Sequence, residues 1–313
     1  MTNSLSRRDA MTAGLTLAVG AAAALQTSPS AATEGADPFR YCLNTSTIRG
    51  QELGIVREIE IASAAGYQGI EPWIRELDEY VKAGGSLPDL RKRIADAGLA
   101  VESAIGFATW IVDDDEQRRK GLEEARRSME LVAAIGGTRL AAPPVGATDL
   151  PKLDLFRAAE RYGELLELGD KMGVVPQAEV WGFSKNLSRL GETAFVAIES
   201  GHPQACILPD IYHIHKGGSD FHGLKLLSQT AVHVFHVNDY PADPPRDTIT
   251  DAHRVYPGDG AAPLTRIFQD LIRGGSRCVL SLELFNRDYW KQDALEVAKT
   301  GLAKTKAAVA NAL

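Results

Sequence analysis

The stretch "CILPDIYHIHKGG", residues 206–218, ends a hydrophobic run in an acid, Asp210, with His213 and His215 just beyond it. Three other hydrophobic runs carry ligand-type side chains near their ends: Glu179 in "VVPQAEVW", His236 in "AVHVFHVND" and Glu283 in "RCVLSLELF". Side chains alternate faces along a strand. That puts Glu179 in a row with Val175 and Gln177, Asp210 with Cys206 and Leu208, His236 with Val232 and Val234, and Glu283 with Val279 and Ser281. Four such rows could converge at one mouth. Three clustered carboxylates repel one another and push at least one pKa upward. A divalent cation removes that problem, and three carboxylates with one imidazole suit Mn²⁺, Mg²⁺, Co²⁺ or Zn²⁺. Such an ion acts as a Lewis acid on a chelated carbonyl and adjacent hydroxyl, acidifying the neighbouring C–H and stabilising an enediolate. The competing reading, four separate salt bridges, asks for a coincidence at four consecutive strand ends.

The elements that must position these residues follow an alternating pattern. Strand-like runs occupy 40–46, 67–73, 99–106, 138–144, 174–181, 204–210, 231–239 and 277–285, with amphipathic stretches between them, such as 116–135, 154–172 and 187–200. Helical stretches run through glycine into a strand in "AAGYQGI", "DAGLAVESA", "AIGGTRLA", "KMGVVPQAE" and "IRGGSRCVL"; glycine there supplies a left-handed helix cap. Eight such units in a chain of 313 residues predict an α/β fold, a (β/α)8 TIM barrel, whose chemistry sits at the C-terminal strand ends. A doubly wound open sheet is disfavoured because no GxGxxG follows the first strand. The connection over 239–260 is long and rich in proline, and reads as a partly rigid flap over the barrel mouth.

Ordered pieces of the sequence resemble the sugar phosphate isomerase/epimerase family of xylose isomerase-like TIM barrels, nearest the 2-keto-myo-inositol isomerase branch. They are "GYQGIEPW", "AEVWG", "LPDIYHIHKGG", "HVNDYP", "RVYPGDGAAPL" and "LSLELFN", and the resemblance spans about 40–310. It implies that Glu179, Asp210, His236 and Glu283 bind one divalent metal ion. It also implies that Glu179 and Glu283 exchange substrate protons, that His213 contacts a substrate oxygen near the metal, and that Arg254 faces the substrate. The expected activity is isomerisation or epimerisation of an unphosphorylated keto-sugar or cyclitol. On the same metal, expulsion of a β-substituent would make a lyase or dehydratase acting on a keto-sugar or 3-keto-glycoside. A non-catalytic sugar-binding barrel is the third reading, and the intact quartet argues against it.

Other residues carry two readings each. Glu71 binds a sugar hydroxyl or caps the next helix. Trp181 and Trp73 form platforms under a sugar ring or pack the rim. His215 contacts substrate or is solvated in a loop. Lys185 meets substrate or solvent, and Asp239 orients Arg254 or closes the flap.

A formal net charge of −7 without a basic run argues against a nucleic-acid partner. Three widely spaced cysteines, Cys42, Cys206 and Cys278, argue against a disulfide framework. The partner expected is a small sugar or cyclitol, and a homo-oligomer is left open.

Arg7 and Arg8 precede an uncharged run over 11–25 and then "SPSAA". This reads as a twin-arginine signal over 1–32, followed by a single barrel domain over 38–313 and delivery to the periplasm or beyond. An anchor helix is disfavoured because about 15 Ala- and Gly-rich residues are short for a span, so no stable membrane insertion is expected once the signal is removed. The exported protein should lack roughly its first thirty residues. Intact-mass measurement on periplasmic material checks this, and a full-length mass there would overturn it.

Overall fold

The computed structural model describes residues 37–313, so the signal expected over 1–32 lies outside the described residues. Eight strands appear in order: β1 (Arg40–Asn44), β2 (Gly69–Glu71), β3 (Ala100–Val101), β4 (Arg139–Ala142), β5 (Val175–Glu179), β6 (Ile207–Leu208), β7 (Val234–Val237) and β8 (Val279–Leu282). The helices are α1 (Ile55–Ala65), α2 (Ile74–Lys82), α3 (Leu87–Asp96), α4 (Asp115–Ala134), α5 (Leu155–Met172), α6 (Leu190–Glu199), α7 (Ile211–Gly217), α8 (Leu264–Arg273) and α9 (Ala294–Ala310).

All strand pairs are parallel, in the orders β3-β2-β1-β8-β7 and β4-β5-β6. Two seams close the ring. At the first, the Ala104 N–H donates to the Arg139 carbonyl at 3.2 Å and the Ala141 N–H to the Ala104 carbonyl at 2.8 Å. At the second, Ile207 pairs with Val232 and Asp210 with His236. Because β1 pairs with β8, no edge is left there and the doubly wound alternative falls. The fold is the (β/α)8 barrel expected. Its strands are shorter than the hydrophobic runs, since the C-terminal part of each run leaves the ladder to build the mouth. Asp210, for example, lies beyond β6 and caps α7.

Inside the ring, Cys42, Ile105, Ala141, Leu208, Val234 and Val279 form a buried plug. A second, larger apolar layer separates strands from helices. Helix α5 shows how a helix is seated there. Asp154 caps its start by accepting from the N–H groups of Phe156 and Arg157, and Gly173 ends it at φ +67°. Ala158, Tyr162, Leu165, Leu166 and Gly169 recur at helical spacing and are buried. Each leucine buried this way stabilises the fold by about 1.5–3 kcal/mol. The Tyr162 hydroxyl reaches the carbonyls of Pro176 at 2.8 Å and Cys206 at 2.7 Å. It thereby ties α5 to β5 and to the start of β6, the two neighbours that carry Glu179 and lead into Asp210.

The 239–260 connection is an ordered flap. Asp239 and Val255 pair in antiparallel fashion. The Asp239 carboxylate accepts from the N–H groups of Tyr240, Gly258, Gly260 and Ala262 at 2.8–3.1 Å. Of the two roles considered for Asp239, the structure gives it flap closure. The three cysteines are buried free thiols. Among the described residues no helix is long and apolar enough to cross a membrane.

Two stability measurements follow from this packing. Tyr162→Phe removes the buried hydroxyl that the Pro176 and Cys206 carbonyls share and should cost about 1–3 kcal/mol in urea unfolding; an unchanged midpoint would overturn that role. The second concerns Glu58. Burial pushes its carboxyl up to about 9, Glu76 adding repulsion that Arg75 partly offsets. An unfolded glutamate titrates near ~4.3. Across that window the folded chain holds a proton that the unfolded chain has lost, so stability falls as pH rises. Glu58→Gln should therefore lose less Tm than the parent between about pH 5.5 and about pH 8, by at least ~2 °C. Parallel losses in a scanning calorimeter would contradict the assignment.

Candidate active site

Glu179 closes β5, Asp210 starts α7, His236 lies in β7 and Glu283 follows β8 directly. All four are at most 4% exposed. They meet at the His236 ring. Its Nδ1 lies 3.3 Å from Glu283 Oε2, 3.9 Å from Asp210 Oδ2 and 3.9 Å from Glu179 Oε1. That Nδ1 is buried and has no hydrogen-bond partner. One donor atom each from Asp210, His236 and Glu283 falls within 4.8 Å of the others. An unpartnered imidazole nitrogen facing three carboxylates fits a divalent cation, with Glu179 as the fourth donor.

Glu71 has a part that neither of its sequence readings contained. It is fully buried, and Oε2 lies 3.1 Å from His236 Nε2. The same oxygen accepts from Ser281 Oγ at 2.6 Å and Asn44 Nδ2 at 3.0 Å. Neither a sugar contact nor a helix cap is available from there. Glu71 instead fixes the ring from behind and turns Nδ1 toward the cluster, the usual carboxylate support of a ligating histidine. Burial alone would raise its pKa, but His236 and the two donors hold it low and ionised.

Burial also opposes the charged form of His236, yet Glu283 and Glu71 more than offset it and hold the ring's pKa well above its ordinary value. The two cavity glutamates are pushed apart. Burial raises Glu179 well above the usual carboxylate range; His236 opposes this, while Glu283 and Asp210 add to it. Burial would raise Glu283 too, but His236 and Arg254 bring it below.

Arg254 arrives from the flap and is fully buried. Its Nη1 donates to Asp210 Oδ2 at 2.8 Å and Glu283 Oε2 at 2.9 Å. Its Nη2 donates to Asp251 Oδ1 at 2.6 Å and to His213 Nε2 at 3.1 Å. Asp251, not Asp239, orients it. Burial opposes the guanidinium's charge, and Asp210, Asp251 and Glu283 restore it. Burial also lowers the pKa of His213. Its neutral ring accepts at Nε2, so Nδ1 carries the hydrogen, and that atom has no partner.

Above this floor lies a cavity of about 410 Å³, within the range that encloses small molecules. Glu179, Glu283, His213 and Arg254 line it, together with Trp181 and Trp73. Phe107 bridges the two tryptophans, with ring centroids 5.2 Å from Trp73 and 6.2 Å from Trp181. His215 and Lys185 are not on its wall. Neither reading of His215 holds, because 211–217 is a helix, where residues two apart diverge, and its ring is turned away from the cavity that His213 lines. Its ring stacks on Tyr240 at 3.8 Å. Lys185 Nζ donates to the Asp149 carbonyl at 2.9 Å. Sequence reasoning missed Arg49, Phe107, Phe183, Phe285 and Arg287, all on the wall. Arg49 sits in a short 3₁₀ helix and the others in loops after strands, and only their position just past a strand end could have flagged them.

The family description "Xylose isomerase-like TIM barrel" matches residues 59–308. An inosose isomerase of Bacillus velezensis is 28% identical over 277 residues, covering 87% of this chain and 97% of that protein. A 3-dehydroshikimate dehydratase of Pseudomonas aeruginosa is 26% identical over 238 residues, covering 73% of this chain but 36% of that protein. The solved structure of the IolI protein with a binding zinc atom superposes with a TM-score of 0.80 at 23% identity, over 88% of this chain and 99% of that one. With that family match over residues 59–308, the chain belongs to the xylose isomerase-like TIM barrel family.

Proposed function

We propose that the protein is a divalent-metal-dependent isomerase or epimerase of an unphosphorylated keto-sugar or cyclitol. The observation that carries this reading is the buried, unpartnered His236 Nδ1 facing three carboxylates beneath an aromatic-walled cavity. The inosose isomerase relatives support the substrate class, and the paired arginines Arg7 and Arg8 support an exported enzyme.

Glu179, Asp210, His236 and Glu283 would hold the ion. Bound there, a divalent cation polarises a substrate carbonyl and makes the neighbouring C–H acidic. Glu179 lines the cavity; burial favours its protonated form, and positive charge at the ion site would bring its pKa down and leave an ionised carboxylate placed to take that proton. Glu283, held by Arg254 at Oε2 and by Asn44 Nδ2 at 3.3 Å on Oε1, lines the same cavity and is placed to return or exchange one. His213 adds an N–H donor beside the cavity for a substrate oxygen. Trp181, Trp73 and Phe107 cover the apolar face of a ring and keep water from the carbanionic carbon.

A second reading keeps the same residues and changes the fate of the carbanion. Expulsion of a β-hydroxyl or glycosidic oxygen makes the protein a dehydratase or lyase. The 3-dehydroshikimate dehydratases of two pseudomonads among its relatives favour keeping it.

Glu179→Gln should cut solvent-deuterium wash-in by about 10²–10⁴-fold, the usual contribution of a positioned base. Glu283→Gln should abolish turnover and also lower the metal content found by elemental analysis. Full activity of Glu283→Gln in metal-replete buffer would sink the site. Screening keto-sugars and cyclitols in deuterated water separates the readings: exchange without elimination marks an isomerase, and loss of water or an aglycone marks the alternative.

A further inference from the structure

Arg49 is the cavity residue whose chemistry remains unassigned. It lies on the turn after β1, and its guanidinium carbon sits 4.8 Å from the Trp73 ring centroid, 5.1 Å from Phe285 and 5.2 Å from Trp290. The rings of this cage are fixed. Trp73 Nε1 donates to Asn44 Oδ1 at 3.0 Å and Trp290 Nε1 to the Ser46 carbonyl at 3.0 Å. Gly50 lets Trp290 close over the turn, because a Cβ at that position would fall 2.3 Å from Trp290 Cβ. The cation is thus held in place by π faces.

Among the described residues, the Arg49 side chain makes no hydrogen bond or ion pair. Glu76 and Glu283 are near enough to feel its charge. Neither pairs with it: Glu76 accepts at Oε2 from Thr45 Oγ1 and the Trp73 N–H, and Glu283 accepts from Arg254. Burial and the neighbouring Arg75 both work against the Arg49 charge. Arg254 is the opposite case, with donors on both Nη atoms and Nε taken by the protein's own groups. Arg287, exposed on the same wall, also forms no ion pair among the described residues. A caged guanidinium with five unused donors is built for a planar oxyanion, which it grips with two parallel hydrogen bonds.

We propose that Arg49, with Arg287 on the same cavity wall, binds a carboxylate on the substrate, so the preferred substrate is a keto-sugar acid or a carboxylated keto-cyclitol. This rests on the keto-substrate reading above and narrows it. A carboxylate fits better than a phosphate ester, since phosphate sites add a cradle of backbone N–H groups. The glycine-rich N–H groups of the flap, those of Gly258 and Gly260, are already occupied by Asp239.

The test uses three ketoses that differ at one carbon, titrated against the metal-loaded protein by tryptophan fluorescence: D-fructose, D-fructuronate and D-fructose 6-phosphate. D-Fructuronate should bind roughly 10-fold or more tighter than D-fructose, as hydrogen bonds to a charged group allow. Arg49→Met should reduce that preference to within about threefold. Arg49→Lys should restore part of it, since lysine keeps the charge without the fork. Equal affinity for D-fructose and D-fructuronate, a preference unchanged in Arg49→Met, or no saturable response to D-fructuronate would each overturn the assignment. Tighter binding of the 6-phosphate than of D-fructuronate would overturn the choice of carboxylate. Deuterium wash-in, measured on the same samples, separates the two levels. A carboxylate preference without exchange sinks the isomerase reading alone, and exchange without preference sinks only the role of Arg49.

Discussion

Carboxylates buried side by side stay ionised only if positive charge is placed among them, and much of this barrel mouth is arranged to meet that requirement. Asp210, Glu179 and Glu283 surround His236, while Glu71 stands behind it. The imidazole serves as the hub, because one nitrogen is bound to Glu71 and the other is left facing the acids. Arg254 supplies the second positive group, bridging Asp210 and Glu283 from above. A divalent ion at Nδ1 would complete the balance and return the histidine to its neutral, ligating form.

The flap exists in its ordered form for the sake of that arginine. Asp239 gathers four backbone N–H groups and turns the chain back on itself. Val255 then pairs with Asp239 and aims the preceding residue, Arg254, inward. Asp251, three residues earlier, sets the rotation of the guanidinium. The proline-rich connection is therefore a rigid arm that delivers a charge. Its anchoring acid, Asp239, and its orienting acid, Asp251, do separate jobs.

The barrel was legible in the sequence because eight short apolar runs alternate with amphipathic helices, and strand alternation placed the quartet without any long-range information. What escaped the sequence depended on distance or on local conformation. Glu71 and His236 are 165 residues apart, and nothing near either announces the pair. The neighbourhood of His213 and His215 reads as a loop beyond a strand, yet Asp210 accepts from the His213 N–H as a helix cap. That cap converts the segment to helix and turns His215 toward Tyr240. Arg49 follows β1 on a turn with no hydrophobic periodicity, so only the folded aromatic cage reveals it.

The pairing of β1 with β8 also sets an order of events. Asn44 of the first strand and Glu283 after the last are 239 residues apart, and they share a hydrogen bond in the finished site. During synthesis, β5 and the start of α7 emerge well before Arg254 and Glu283 exist. For most of that time the nascent chain presents Glu179 and Asp210 without the groups that offset them. The full donor set assembles only as the ring closes, so an ion would be selected in whichever compartment closure takes place.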